Sequence, residues 1–481
     1  MTVANGHVAL NLTFLSPMFT DDFVRLSRPV YYISVDVASL DSAPHEIELY
    51  FDVSAQHAVN KCAEQSVEWK RWPTQGAGLS GIQMGNSVQD VLGSKGDRVN
   101  IDWGYLHLAT LTRNPSEAAQ RLWAGSASNA RDTFTTEGIL PRAPDTRQPR
   151  KCGDDLPVLA TQASLGRTTS ASHAVVMAYD DVKSVNYFGD MMAGLWTQTY
   201  KSIQEAMGTA FSEHAAMLAK SVSHDAGLIS KLSSHFGDKY ATLCALSYRQ
   251  TLAATKLVWN HNRSVTWNFL KEISTNGDMS TMDVIYPASP MLVYTNPELL
   301  KLLLIPVLAY AHNDTYIQFT DPYSPHQLGT YPIADSTTAK QEPMPLENSG
   351  NMLFMLLAIV RAQTKAKTGD MGWVMPYFTM LRSWADELVK TTEFPANQIC
   401  TDDFTGKLAN NTNLGAKGII AIETFAELCR RAQAFGDAGD TNCSHYSAVA
   451  ADYARTWQHY SYTTKNAPHY RMSFNDLKGM S

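Results

Sequence analysis

The chain has 481 residues, 44% apolar and 18% charged, with a net charge of −7. That apolar supply is enough for packed cores and excludes a disordered chain. The acidic balance excludes the basic surface of a nucleic-acid-binding protein. At roughly 100–200 residues per domain, the length fits two large domains or a few smaller ones.

The most apolar stretch, LLKLLLIPVLAYA at 299–311, is interrupted by Lys301 and Pro306. It falls short of the ~20 apolar residues of a membrane span, so none is expected. The N-terminus, MTVANGHVALNLTF, has no basic n-region, so no signal peptide is read in this chain. The cysteines are Cys62, Cys152, Cys244, Cys400, Cys429 and Cys443. They form no C-x-x-C pair, which speaks against a zinc ribbon or redox motif. Cys429 and Cys443 are near enough in sequence to pair, but buried free thiols are the expectation. Glycosylation sequons at Asn11, Asn262, Asn313, Asn410 and Asn442 lean towards a secreted setting.

Up to about residue 180, apolar and polar residues alternate. Val8, Leu10, Leu12 and Phe14 alternate with Ala9, Asn11 and Thr13. Ile33, Val35 and Val37 form a second run, and Ile47, Leu49, Phe51 and Val53 a third. Period-2 runs between turn clusters such as SLDSAPHE predict half-buried antiparallel strands and a β-sandwich over residues 1–183. The weakly patterned stretch 114–150 reads as a surface excursion from it.

From residue 184 the pattern turns helical. Runs are predicted at about 186–206, 208–234, 236–257, 281–294, 297–312, 347–368, 371–391, 412–436 and 441–462. In the 371–391 run, Trp373, Tyr377, Met380, Trp384 and Leu388 share one face. MLFMLLAIV at 352–360 is apolar all round, as in a helix buried on every side. Alternating buried and amphipathic helices suit an (α/α)6 toroid over residues 184–481.

Three long polar loops, at 259–281, 313–346 and 392–412, separate these helices. Such loops in a compact domain are usually functional. The first gathers Lys271, Glu272, Asp278 and Asp283 around a glycine turn. The second presents His326 and Tyr331, then enters the apolar helix through Glu347 and Asn351, four residues apart and on one face. The third places Asp402 and Asp403 before Asn410, Asn411 and Asn413. Each also has a structural reading. Carboxylates in loops form turns and caps, Glu347 suits a helix N-terminus, and the asparagines can cap the next helix. No metal-ligand spacing, G-x-S-x-G elbow, P-loop or G-x-G-x-x-G is present. No cofactor or metal is expected, which leaves acid–base hydrolysis by carboxylates.

These loops carry a resemblance. KEISTNGDMSTMDVIYPASPMLVYTNPELLKLLLIPVLAYA, PYSPHQLGTYPIA, MPLENSGNMLFML and CTDDFTGKLANNTNLGAKGIIAI resemble the fungal glutaminase A family and its bacterial relatives. NLTFLSP and IELYFDVSA resemble that family's β domain. The resemblance implies a β-sandwich followed by a six-hairpin glycosidase-like toroid. It implies hydrolysis of L-glutamine to glutamate and ammonia, in secreted or cell-wall-associated proteins. Two positions depart from the family pattern: Gln327 stands where the family has Asp, and Asn348 where it often has a second acid. The resemblance also implies that the chain is truncated at both ends.

The resulting expectation is a glutaminase-like amidohydrolase. Its carboxylate pool is Asp278, Asp283, Glu347, Asp402 and Asp403. Lys271, Glu272, His326, Tyr331, Asn351, Asn410, Asn411 and Asn413 hold a small-molecule substrate. The alternatives are an inverting glycoside hydrolase, with Trp259, Trp267, Tyr323 and Tyr331 stacking on sugars, and a degenerate ligand-binding member. About nine predicted helices against the twelve of a closed ring imply an open seam and self-association through it.

Overall fold

The computed structural model describes the chain except residues 76–77, 113–116, 118–119, 274–275, 402–405, 437–438, 440–441, 464–467 and 475–481. Asp402 and Asp403 therefore lie outside the described residues. Contacts divide the chain into two compact units. One comprises Met1–Asn186 with Asp190–Thr266, the other Tyr187–Gly189 with Trp267–Ser481.

The first unit contains two antiparallel sheets. The larger has eight strands, in the spatial order Thr2–Val3, Val8–Leu15, Val30–Ser39, Ser170–Asp180, Tyr105–Leu111, Leu79–Asn86, Ser66–Gln75 and Arg150–Lys151. The smaller has three: His45–Ser54, Pro157–Thr168 and Leu122–Ser126. Alternate residues of the large sheet serve different cores. Ile33, Ile82, Leu108, Val175 and Met177 pack with Val53, Leu122 and Leu159 of the small sheet. Their neighbours Tyr32, Ala109, Val176 and Ala178 pack with Ile203, Ala206, Met207 and Ala210. The large sheet is thus covered on both faces, and every residue of Leu79–Asn86 is buried.

The alternation fails at one edge: Leu12 is 44% exposed and Phe14 69%. The cause is the difference in sheet size, because three strands do not cover eight. A cavity of about 250 Å³, lined by Leu10, Leu12, Phe14, Leu49 and His173 among others, lies there. The stretch 114–150 is more ordered than its composition suggests. Strand Leu122–Ser126 runs into helix Ala127–Glu137, whose N-cap Ser126 accepts from the amide of Asn129.

The helix expected at 186–206 is mostly something else. Strands Val185–Tyr187 and Asp190–Gly194 and a 3-10 turn at Leu195–Gln198 occupy it. Gly189, at φ 94°, supplies a turn that an α-helix cannot contain. The helix proper is Ile203–Phe236. Ser202 accepts from the Glu205 amide and Glu205 accepts from the Lys201 amide, an N-terminal cap built from both ends. Gly237 separates it from helix Asp238–Ala253. Much of the expected loop 259–281 is also strand, at Thr255–Asn260 and Val265–Leu270, because LVWN and VTWNFL are rich in β-branched and aromatic residues.

Among the described residues the second unit has six α-helices: Met282–Thr295, Pro297–Ala311, Pro345–Ala366, Phe378–Thr391, Thr412–Phe435 and Cys443–Ser461. Pro345–Ala366 contacts the four that precede Cys443. This position explains the all-apolar MLFMLLAIV run, in which Leu353, Leu356 and Ile359 are fully buried. No helix among the described residues is long and apolar enough to cross a membrane.

The expectation of free thiols is corrected. Cys62 bonds to Cys152 and Cys429 to Cys443, while Cys244 and Cys400 stay outside these disulfides. The first pair is 90 residues apart in sequence and meets because Ser66–Val67 pairs with Arg150–Lys151. The second links the end of one helix to the start of the next. Closing such loops stabilises a fold by about 2–5 kcal/mol each. Reduction is expected to lower the urea midpoint accordingly, and Cys62→Ser alone to reproduce part of the loss. An unchanged midpoint would show that the bonds are not formed in solution.

Candidate active site

Two loops of the second unit are knitted together by backbone pairing. Lys271 bridges Met279, and Asp278 bridges Thr330. The Glu272 amide donates to Asp278 O at 2.8 Å, Met279 N to Gly329 O at 2.8 Å, and Leu328 N to Met279 O at 2.9 Å. Tyr331 N donates to Gly277 O at 2.9 Å. Gly329 has φ 141°, and a Cβ there would stand 2.4 Å from Ile333 O, so no other residue fits this crossing.

His326 sits at the centre. It is 5% exposed. Its carbonyl accepts from Met282 N at 2.8 Å, and its amide donates to Gln341 Oε1 at 2.7 Å. Its Nε2 lies 3.3 Å from Asp283 Oδ1. Asp283 is in the first turn of the 282–295 helix, where the helix dipole favours an anion.

Burial alone raises the Asp283 carboxyl, but the His326 imidazole and the Thr401 hydroxyl outweigh it and hold the group below its usual range. Burial alone lowers His326, but Asp283, Glu342 and Asp278 outweigh that, and its net shift is upward. Asp278 goes the other way. Burial, with help from Glu272 and Glu342, pushes it up to about 6 against the pull of His326. The structure thus brings Lys271, Glu272, Asp278, Asp283, His326 and Tyr331 into one neighbourhood. Thr281 Oγ1 donates to Glu272 Oε2 at 2.7 Å. Lys271 Nζ is 5.9 Å from the centre of the Tyr331 ring.

A second polar cluster lies one helical turn further along the same face, at Tyr286. Glu347, in the first turn of the 345–366 helix, is fully buried. Its Oε1 accepts from Asn351 Nδ2 at 3.0 Å and pairs with Lys417 Nζ. Lys417 also donates to Asn351 Oδ1 at 3.0 Å, and its Nζ is 4.9 Å from the Tyr286 ring centre. The Ser324 amide donates to Ser349 Oγ at 3.1 Å, which fastens the His326 loop to this helix end.

The third loop contributes less than expected. Asn411 Oδ1 accepts from the amides of Asn413 and Leu414, capping the 412–435 helix. Asn410, at φ 54°, donates its amide to Pro395 O and accepts from Phe474 N. The Asn413 side chain is exposed. These three asparagines build the helix entry and are not joined to His326. Gln327 and Asn348, the two departures from the family pattern, are both buried; Gln327 Oε1 and both amide atoms of Asn348 have no hydrogen-bond partner.

The sequence reading missed Tyr286, Gln341, Glu342, Thr401 and Lys417. Lys417 had a signal: it sits in LGAKGII, where Gly415 and Gly418 mark a helix face packed closely against neighbours. Among the described residues, no group of three or more His, Cys, Asp or Glu is placed to hold a metal ion.

Residues 237–481 match the Glutaminase A six helical-hairpin domain. The chain belongs to the glutaminase A family. Residues 1–231 match a domain of unknown function, DUF5127. Glutaminase A of Aspergillus oryzae is 32% identical over 98% of this chain and 67% of its own length. A probable glutaminase of Arthroderma benhamiae is 25% identical over 98% of this chain and 60% of its own. The chain therefore spans about two thirds of the curated relatives it matches. A solved putative kojibiose phosphorylase from the human microbiome is 11% identical, with a TM-score of 0.43, over 94% of this chain and 53% of its own. The architecture is antiparallel β-sheets followed by a helical six-hairpin domain.

Gly350 gives Lys417 its path to Glu347, since a Cβ at Gly350 would lie 2.9 Å from Lys417 Cγ. Gly350→Ala is expected to cost about 1–3 kcal/mol through overpacking, read as a lower urea midpoint. A neutral result would mean that Lys417 takes another path.

Proposed function

We propose that the chain hydrolyses the side-chain amide of L-glutamine, giving L-glutamate and ammonia. The observation that carries this reading is the split between two carboxyls that share His326, in a chain of the glutaminase A family. Two carboxyls whose environments drive their pKa values apart divide naturally into proton donor and base. Asp283, held ionised, takes a proton from water as the oxygen attacks the amide carbon. Asp278, protonated up to about pH 6, gives a proton to the departing nitrogen as the C–N bond breaks. His326, whose hold on a proton is strengthened by its acidic neighbours, faces the charge that develops on the amide oxygen.

Lys271, Glu272 and Tyr331 line the same neighbourhood and belong to the substrate-binding set. Glu347 has no exposed surface, so it acts through Lys417 and Asn351. Asp402 and Asp403 stay in the carboxylate pool on sequence grounds alone. An oxidising, extracellular location is part of the same proposal. It is supported by the two disulfides and by sequons on the exposed residues Asn11, Asn262, Asn313 and Asn442.

The test is ammonia release from L-glutamine by the purified chain between pH 4 and pH 9. A carboxyl that must be protonated, with its pKa raised to about 6, makes kcat/KM fall as pH rises through about 6. Asp278→Asn is expected to remove that limb and to lower kcat/KM by about 100- to 10,000-fold. No ammonia above background, or a profile identical in the variant, would contradict the assignment.

A further inference from the structure

We propose that Lys417 is the anchor for the α-carboxylate of an amino-acid substrate, and hence a specificity-determining residue. This rests on the amidohydrolase reading above and deepens it.

An ammonium group has three N–H donors. Glu347 Oε1 and Asn351 Oδ1 take two of those on Lys417. The remaining side is towards Tyr286, whose ring centre is 4.9 Å from Nζ. An aromatic face attracts a cation without accepting a directed hydrogen bond of carboxylate strength. The Lys417 side chain is 12% exposed, whereas Glu347 beneath it is 0% exposed. The buried carboxylate therefore does not meet a substrate; it holds the lysine in place. A buried ion needs such a partner, because desolvating an unpaired one is costly.

The surrounding polar core is also incomplete on its own. Glu347 Oε2 and both amide atoms of Asn348 are buried without hydrogen-bond partners. Buried polar atoms in folded proteins are nearly always satisfied by protein, water or ligand, so this cluster marks a polar rather than an apolar setting around the lysine.

Placement selects the ligand. Asp283 and Tyr286 are three residues apart on one helix, about 4.5 Å along its axis. The reacting amide belongs at Asp283 and His326. In glutamine three carbons separate the amide carbon from the α-carboxylate carbon, a span of about 5 Å, comparable to the axial step from Asp283 to Tyr286, the ring that Lys417 lies over. A small α-amino acid with a free carboxylate fits this distance. A peptide-bound glutamine, whose carboxyl is an amide, lacks the anion that the lysine would hold.

The experiment compares kcat/KM for L-glutamine with that for L-glutamine α-amide, which lacks the carboxylate. Wild type is expected to prefer glutamine by about 10- to 100-fold, the scale of one charge-assisted hydrogen bond. Removing Lys417 alone strands the Glu347 charge, so the variant used is Glu347→Gln with Lys417→Met, which replaces the pair by neutral groups of similar size. It is expected to bring the preference to within about 3-fold. A wild type without preference, or a double variant that slows both substrates equally and keeps the ratio, overturns the anchor. If wild type releases no ammonia, the hydrolase reading fails, and the anchor is judged by calorimetry with L-glutamate and its α-amide. A carboxylate preference present in wild type and lost in the double variant upholds it; equal binding of the two compounds overturns it.

Discussion

The Asp283–His326 contact depends on where a helix begins. His326 O accepts from Met282 N, and the next residue is Asp283. One hydrogen bond thus ties the loop that carries the histidine to the helix end that carries the acid. The crossing of Asp278–Met279 over Leu328–Thr330 holds both strands of that contact in register. Gln341 completes it from the other side, with Oε1 accepting from the amides of His326 and Gln327, and Nε2 donating to Gln327 O and Ser336 Oγ. The imidazole is positioned by backbone, so its ring is free to serve the carboxylates. The opposite shifts of Asp278 and Asp283 follow from that arrangement: Asp283 faces the histidine and a helix N-terminus, while Asp278 has burial and acidic company.

The second cluster depends on close packing rather than on backbone pairing. Lys417 reaches Glu347 across Gly350, which offers no side chain to block it. Gly418, one residue beyond the lysine, leaves room for Thr392, which ends the Phe378–Thr391 helix. The 345–366 helix is the common wall. Its first two turns carry Glu347 and Asn351, and the apolar run that follows is buried surface that fixes them in place. The polar end and the apolar body are thus parts of one element, and the site inherits the rigidity of the core.

Much of this was legible in the sequence, for stated physical reasons. Period-2 runs read correctly as strands because burial on alternate faces leaves that signature. MLFMLLAIV read correctly as a helix buried all round. Lys271, Glu272, Asp278, Asp283 and His326 stand out in the sequence because glycine turns and titratable residues coincide in their loops. Other features left no local trace. Strand content at 255–270 was hidden by a polar turn, HNRS, between two apolar runs. The bond between Cys62 and Cys152 spans 90 residues, a separation that no spacing rule reaches. Lys417 left no titratable cluster in the sequence around it; only the neighbouring Gly415 and Gly418 hint at close packing. The asparagines at 410, 411 and 413 looked chemical, yet capping explains Asn411 and backbone geometry explains Asn410.

The account stands on Asp283 working as an ionised base against His326. The most direct measurement is kcat/KM for ammonia release from L-glutamine by wild type and Asp283→Asn, with the melting temperature of each. Asn keeps the size of the side chain and removes the charge. The account predicts a loss of at least about 100-fold in the variant, the scale of one lost acid–base group, with a folded protein of similar melting temperature. A variant as active as wild type would contradict it.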